Sequence, residues 1–264
     1  MLVSLATRSI SDALRSWALL LQCPVGYLEH QRVESLERHD PDGRVLLTFV
    51  RGAVGLVSLP SGDARDYDLE AGELQELISL TRAEPPAGSI MHMRETTLVV
   101  EDEPAALAVV DEGTLAPECR AVAALVYDPV PSVLDMLKHE VTPADWDRGG
   151  GAHESPHRVG VLSGGVLVAL ASVGRPLGRL ARIRVVVAPG YRRRGLGQVV
   201  LRALARHVLD QGLLPYCRLA MNDLASKALA SAVGFVAFAR SLSIRTVAIG
   251  SGGGVLGDRS PQLK

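Results

Sequence analysis

The stretch VVVAPGYRRRGLGQVVLRAL, Val185 to Leu204, sets three consecutive arginines and two glycines between an apolar run and a segment of helical periodicity. A helix beginning there exposes N–H groups that find no partner in its first turn, and its dipole places positive charge at the same end. Glycines let an anion approach the backbone without a side chain in the way, and arginines add charge-assisted hydrogen bonds. By itself an Arg-Arg-Arg run is more often a solvated face. Joined to the glycine spacing, the strand before it and the helix after it, the corner reads as a site for a diphosphate rather than for a single carboxylate.

The spelling narrows the ligand. A P-loop needs a lysine and a hydroxyl residue directly after its second glycine, whereas Gly195 is followed by Leu196 and Gly197. The dinucleotide fingerprint asks for a third glycine where Val200 stands, at the front of a βαβ unit, and neither condition is met. Arg192, Arg193, Arg194, Gly195, Leu196 and Gly197, with Val187, Pro189 and Tyr191 ahead of them, resemble the signature of the GNAT superfamily of acetyl-coenzyme A dependent N-acetyltransferases. Downstream, NDLASKALASAVGF is similar to that family's second motif at Asn222, Ser226, Gly234 and Phe235. The resemblance covers about Asp128 to Val247.

That resemblance implies an α/β (α+β) fold with a mixed, mostly antiparallel sheet flanked by helices. The sheet would split into a V between the strand at Leu180 to Val187 and the strand at Tyr216 to Met221. It implies acetyl-coenzyme A as co-substrate, with its pantetheine arm against the backbone of Val185, Val186 and Val187. The diphosphate would lie among Arg192, Arg193, Arg194, Gly195, Leu196, Gly197 and Gln198, and Asn222 and Ser226 would touch the carrier. Asn222 and Ser226 also suit an ordinary helix start. The implied acceptor is a primary amine that attacks the thioester directly, with no metal.

The resemblance fails on the strand before the loop, where some members place a carboxylate base and this chain has Arg182 and Arg184, and at one further position. Many members carry a tyrosine four residues before the Gly-Phe pair, and here that residue is Ala230. Tyr216 is the substitute candidate for the acid, and Glu154, just ahead of the module's first strand, is the candidate base. Strand alternation places Arg182, Arg184 and Val186 on one face, opposite Ile183, Val185 and Val187. An arginine face near the V would select an acceptor with an acidic group. Two other readings stay open: a non-catalytic protein that keeps the pocket as a sensor or scaffold, and nucleic-acid binding through Arg192 to Arg194.

These residues must be positioned by a chain of 264 residues with 47% hydrophobic content and a formal net charge of -1. That balance argues against a dedicated nucleic-acid partner, and the lack of a long apolar run argues against a membrane span. Cys23, Cys119 and Cys217 are odd in number and widely spaced, so neither a disulfide framework nor a zinc site is expected, and a reducing cytoplasm is the expected compartment.

Periodicity predicts a first helix over Ser11 to Leu21, a hairpin of Arg44 to Val50 with Ala53 to Leu59, and a helix over Ala71 to Thr81. Thr96 to Val110 is strand-like without a definite register. DPVPS, Asp128 to Ser132, marks the boundary between an N-terminal α/β domain, residues 1–127, and the acetyltransferase-like domain, 128–249. A glycine-rich tail follows at 250–264. The N-terminal half could be a degenerate copy of the same module, an acceptor-binding domain or an element of a homodimer.

Further helices are expected over Ser132 to His139, from Thr142 onward, from Gly195 to Gly212 and from Asp223 to Val233. Strands are expected at Arg158 to Leu162, Val166 to Ser172 and Phe235 to Val247. Gly149 to Gly151 reads as a linker; His139, His153 and His157 fall where an acceptor would enter, but lone histidines are more often surface or packing residues.

Overall fold

The computed structural model describes residues 5–29, 33–39, 45–51, 54–61, 71–83, 85, 87–93, 96–100, 104–117, 124–151 and 155–248. Cys119, His153, Glu154 and the 250–264 tail lie outside them. The elements are α1 (Thr7–Leu21), α2 (Gly26–Glu29), β1 (Val33–His39), β2 (Val45–Arg51), β3 (Val54–Ser61), α3 (Ala71–Ala83), β4 (Ile90–Met93), β5 (Thr96–Val100) and β6 (Ala105–Val109). They continue with β7 (Ala124–Tyr127), α4 (Pro131–Glu140), α5 (Pro143–Arg148), β8 (His157–Ser163), β9 (Val166–Val173), β10 (Leu180–Val187), a 3-10 turn (Pro189–Tyr191), α6 (Leu196–Asp210), β11 (Leu214–Ala220), α7 (Leu224–Val233) and β12 (Val236–Ala248). None of the described helices is long and apolar enough to cross a membrane.

One mixed, largely antiparallel sheet runs through the molecule in the order β1-β3-β2-β12-β6-β11-β10-β9-β8-β7, with the β4–β5 hairpin attached to β12. Two of its pairings are parallel, β1 with β3 and β10 with β11. The expected hairpin is there, with Arg51 opposite Val54. A strand of the N-terminal half sits inside the C-terminal sheet: β6 pairs with β11, Val109 opposite Tyr216, and with β12, Val109 opposite Val236.

Helices cover both faces. On one, α6 lays Val200, Leu201, Leu204, Ala205 and Val208 on the sheet beside Ile183 and Cys217, with Ala230 and Val233 of α7 in the same core. The stripe follows from residues three and four apart falling on one side of a helix. On the other face the described residues form separate clusters under α1 and under α4 and α5. Leu14, Trp17 and Leu21 of α1 pack with Phe49, Leu107, Leu180, Leu214 and Phe238. Leu137 of α4 and Trp146 of α5 pack with Leu167, Leu170 and Val186.

Three local expectations need correction. α1 starts at Thr7 rather than Ser11, with Ala6 as its N-cap; the Ala6 N–H donates to Asp111 Oδ2 at 2.8 Å, so a distant carboxylate fastens the chain there. Within DPVPS, Pro131 opens α4 at the first helical turn, where a missing N–H does no harm. Gly149 to Gly151 is not a linker: Gly149 and Gly150 are buried. A Cβ on Gly149 would stand 2.5 Å from Val186 Cβ, one on Gly150 2.5 Å from Ser172 Oγ, and one on Gly151 2.3 Å from the Trp146 ring. Those contacts come from β9, β10 and α5, so no local pattern announces them.

Candidate functional site

The corner between β10 and α6 is built by alternating backbone hands. Arg192 is extended at φ -64°, Arg193 is left-handed at φ 64°, and Gly195, the N-cap of α6, is left-handed at φ 78°. Such alternation turns successive N–H groups toward one concavity. The N–H groups of Arg193, Arg194, Gly195, Leu196 and Gly197 donate to no acceptor among the described residues; the first bonds of the turn are Gln198 N–H and Val199 N–H to Gly195 O, at 3.0 and 3.2 Å. A Cβ on Gly195 would meet nothing within 4 Å. Five donors at the positive end of a 15-residue helix are therefore without a protein acceptor among the described residues.

The three arginines are not equivalent. Arg192 is turned inward, with Nε donating to Val187 O at 3.2 Å and Nη2 to Asp145 Oδ2 at 3.0 Å. The Arg192 hydrogen bond holds the Asp145 carboxyl below its ordinary range. Arg192 thus clamps the corner to β10 and α5. Arg194 lies over the Tyr191 ring at 5.0 Å. Arg193 carries the left-handed backbone that a non-glycine residue adopts only at a cost.

Next to this corner the sheet opens. β10 pairs with β11 only from Leu180 to Arg182, opposite Leu214 to Tyr216. Beyond that, β10 stays with β9 through Val187, while β11 stays with β6 through Ala220. Gly174 N–H donates to Arg182 O and Ala188 N–H to Val168 O. Hydrogen-bonding direction alternates along an antiparallel strand. The backbone groups of Arg184 and Val186 therefore face β9, and those of Val185 and Val187 face the opening. The strand thus turns Val186 away from the V and its two neighbours toward it.

Tyr216 stands where the strands part. Its ring meets Trp17 edge-on at 6.3 Å between centroids, beneath α1. Burial pushes the Tyr216 phenol above its ordinary value, against the pull of Arg182, Arg184 and Arg218. The phenol therefore keeps its proton at neutral pH. Ala230, 2% exposed, is sealed in the α6–α7 core.

Asn222 is exposed. Asp223, not Asn222, caps α7: its Oδ1 accepts the Ser226 N–H at 2.9 Å and its Oδ2 the Ser226 hydroxyl at 2.6 Å. Glu154 lies outside the described residues, and no metal-holding group of His, Cys, Asp and Glu occurs among those described.

The predicted arginine face is wider than Arg182 and Arg184. Arg158 of β8 stands opposite Ser172 of β9, and Ser172 opposite Arg184 of β10, so the three share one face. The Ser172 hydroxyl donates toward Gly149 O at 3.3 Å and Gly150 O at 3.4 Å, fixing the glycine turn against Arg184. Sequence reading misses Arg158, Ser172 and Asp145; their roles come from strand register and from a contact 47 residues away.

Residues 124–235 match the model of the acetyltransferase (GNAT) family. The matched segment runs from β7 to the residue before β12 and so takes in α6, α7 and the corner between β10 and α6. Among solved structures the chain is similar to a GNAT-family protein from Novosphingobium aromaticivorans, at 19% identity over 64% of this chain and 78% of that one, TM-score 0.43. It is similar to a GNAT-family acetyltransferase from Colwellia psychrerythraea, at 18% identity over 66% of this chain and 62% of that one, TM-score 0.46. The ribosomal-protein-S18-alanine N-acetyltransferase from Escherichia coli is 17% identical over 51% of this chain and 100% of its own, TM-score 0.35. No curated protein matches the chain significantly.

Proposed function

We propose that the protein is an N-acetyltransferase that moves an acetyl group from acetyl-coenzyme A to a primary amine. The observation that carries this is the row of five N–H groups, Arg193 to Gly197, left without acceptors among the described residues beside a sheet that opens at Arg182 and Tyr216. The corner suits a diphosphate: among the described residues no side chain covers Gly195, and Arg193 and Arg194 add charge. The backbone groups of Val185 and the N–H of Val187, on the side of the opening, suit the amide groups of a pantetheine arm; the Val187 carbonyl already accepts from Arg192 Nε. Bound there, acetyl-coenzyme A supplies an acetyl group activated as a thioester. Asn222 and Ser226 stand at the start of α7, where they can border the carrier.

An alkylamine with a pKa of about 10 is mostly ammonium at neutral pH, so its proton must leave before it can act as a nucleophile. We assign that role to Glu154, directly or through water. Tyr216, protonated at the junction of the strands, is our candidate donor for the departing thiolate; Ala230 has no proton to give.

Release of free thiol from acetyl-coenzyme A, followed across a broad panel of amines, tests the function. Acceptor-dependent thiol release is expected, with a lower kcat in Tyr216→Phe at unchanged acetyl-coenzyme A KM. Tight coenzyme A binding with no release for any amine would favour a sensor, a reading to which the buried Ala230 lends weight.

A further inference from the structure

We propose that the amine acceptor carries an anionic group, a carboxylate or a phosphate, held by Arg182 and Arg184 beside the opening of the sheet. This deepens the acetyltransferase reading and rests on it for the word acceptor. The anion site itself is argued from the arginines.

The face of the sheet opposite α6 is apolar at both ends, under α1 and under α4–α5. Between those clusters lies a polar belt. Arg184 shares it with Ser172 and Arg158 by register, and Arg182 shares it with Tyr216 across the last β10–β11 pair. Two guanidinium groups on neighbouring positions of one strand face repel each other, and both are only partly exposed. Among the described residues no carboxylate pairs with either. Arg182 Nε is shielded from water and has no hydrogen-bond partner among the described residues. A shielded donor of this kind is expensive to leave unmade, and a carboxylate or phosphate is the group whose geometry matches a guanidinium fork.

The surroundings shape a recess. A Cβ on Gly150 would come within 2.9 Å of Arg184 Cδ, so the glycine turn closes over the stem of Arg184. A Cβ on Gly174 would sit 3.6 Å from Arg184 Nη1 and 4.0 Å from Arg182 Cβ, so the absent side chain leaves room at the guanidinium end. Burial, and then the charge of Arg182, push Arg184 below its ordinary value, as expected for a cation that lacks a counter-ion.

This belt is distinct from the phosphate corner. Arg182 and Arg184 lie where β10 leaves β11, whereas Arg193 to Gly197 follow its far end. An acceptor anchored in the belt would direct its amine into the V.

The test uses two inert anions, glutarate and inorganic phosphate, titrated calorimetrically into the full-length protein saturated with coenzyme A, so that the phosphate corner is filled. Saturable binding is expected, at least tenfold weaker in the Arg182→Gln/Arg184→Gln double variant at unchanged coenzyme A affinity. The single variants serve if the double variant does not fold, each weakening binding. Tighter binding of glutarate assigns a carboxylate and tighter binding of phosphate a phosphate. No binding of either anion to the unaltered protein, or equal binding to the variants, overturns the proposal.

Failure of coenzyme A to bind would instead sink the carrier reading. The same titration without coenzyme A, read as the difference between unaltered and variant protein, still decides the arginine site.

Discussion

Gly195 and Gly197 stand two residues apart, yet the backbone asks different things of them. Gly195 is left-handed at φ 78°, so Gly195→Ala should lose about 1 kcal/mol of stability. Gly197 is helical, and a Cβ there makes ordinary contacts at 3.4 and 3.5 Å with Leu229; Gly197→Ala should gain about 0.5 kcal/mol in urea unfolding. Arg193 combines both themes, since it holds a left-handed backbone without being glycine. Strain retained at one residue points to a use for its side chain. Arg193→Gly should leave stability equal or higher by about 0.5 kcal/mol, while coenzyme A affinity falls roughly tenfold as a charge-assisted contact disappears. Unchanged affinity in calorimetry would remove Arg193 from the site.

Elements meet the site through a few tight approaches. Gly234 ends α7 at φ 101°, and a Cβ there would stand 1.9 Å from the Thr114 carbonyl oxygen. Gly234→Ala must therefore move the loop after β6 as well as strain its own backbone, and a loss of at least about 2 kcal/mol is expected in denaturant titration. A loss under half that would mean the contact relaxes freely. This glycine is legible in the sequence because helix periodicity stops there and Phe235 follows. α6 and the turn at Gly164 and Gly165 are legible for the same reason: their signals lie within a few residues. β1, β4 and β7 are not, being short or lacking a local signature. The packing of Gly150 on Ser172 and Arg184 is equally hidden, because its partners sit on other strands.

At the scale of the whole molecule, the N-terminal half helps to build the site. β6 lies between β11 and β12, and Trp17 of α1 roofs Tyr216. Asp111, just after β6, ties these parts together: Oδ2 accepts the Ala6 N–H at 2.8 Å, and Oδ1 the N–H groups of Gly113 and Thr114, each at 3.0 Å. Burial alone would raise its carboxyl, but these hydrogen bonds bring it below its ordinary value. A lowered carboxyl adds stability that is complete above the unfolded value of about 4 and lost as pH falls through the native one. Asp111→Ala should cost about 2–3 kcal/mol at pH 7 and flatten the decline in unfolding midpoint between neutral and acid pH.

None of this long-range fastening can be read locally, whereas the proposed phosphate corner can, because its residues are consecutive. That corner is the central claim. It is tested by following the backbone amides of Arg193 to Gly197 by heteronuclear NMR during a coenzyme A titration. Saturable shifts at all five, absent with pantetheine lacking the diphosphate, are expected; tight binding that leaves them unmoved would contradict the account.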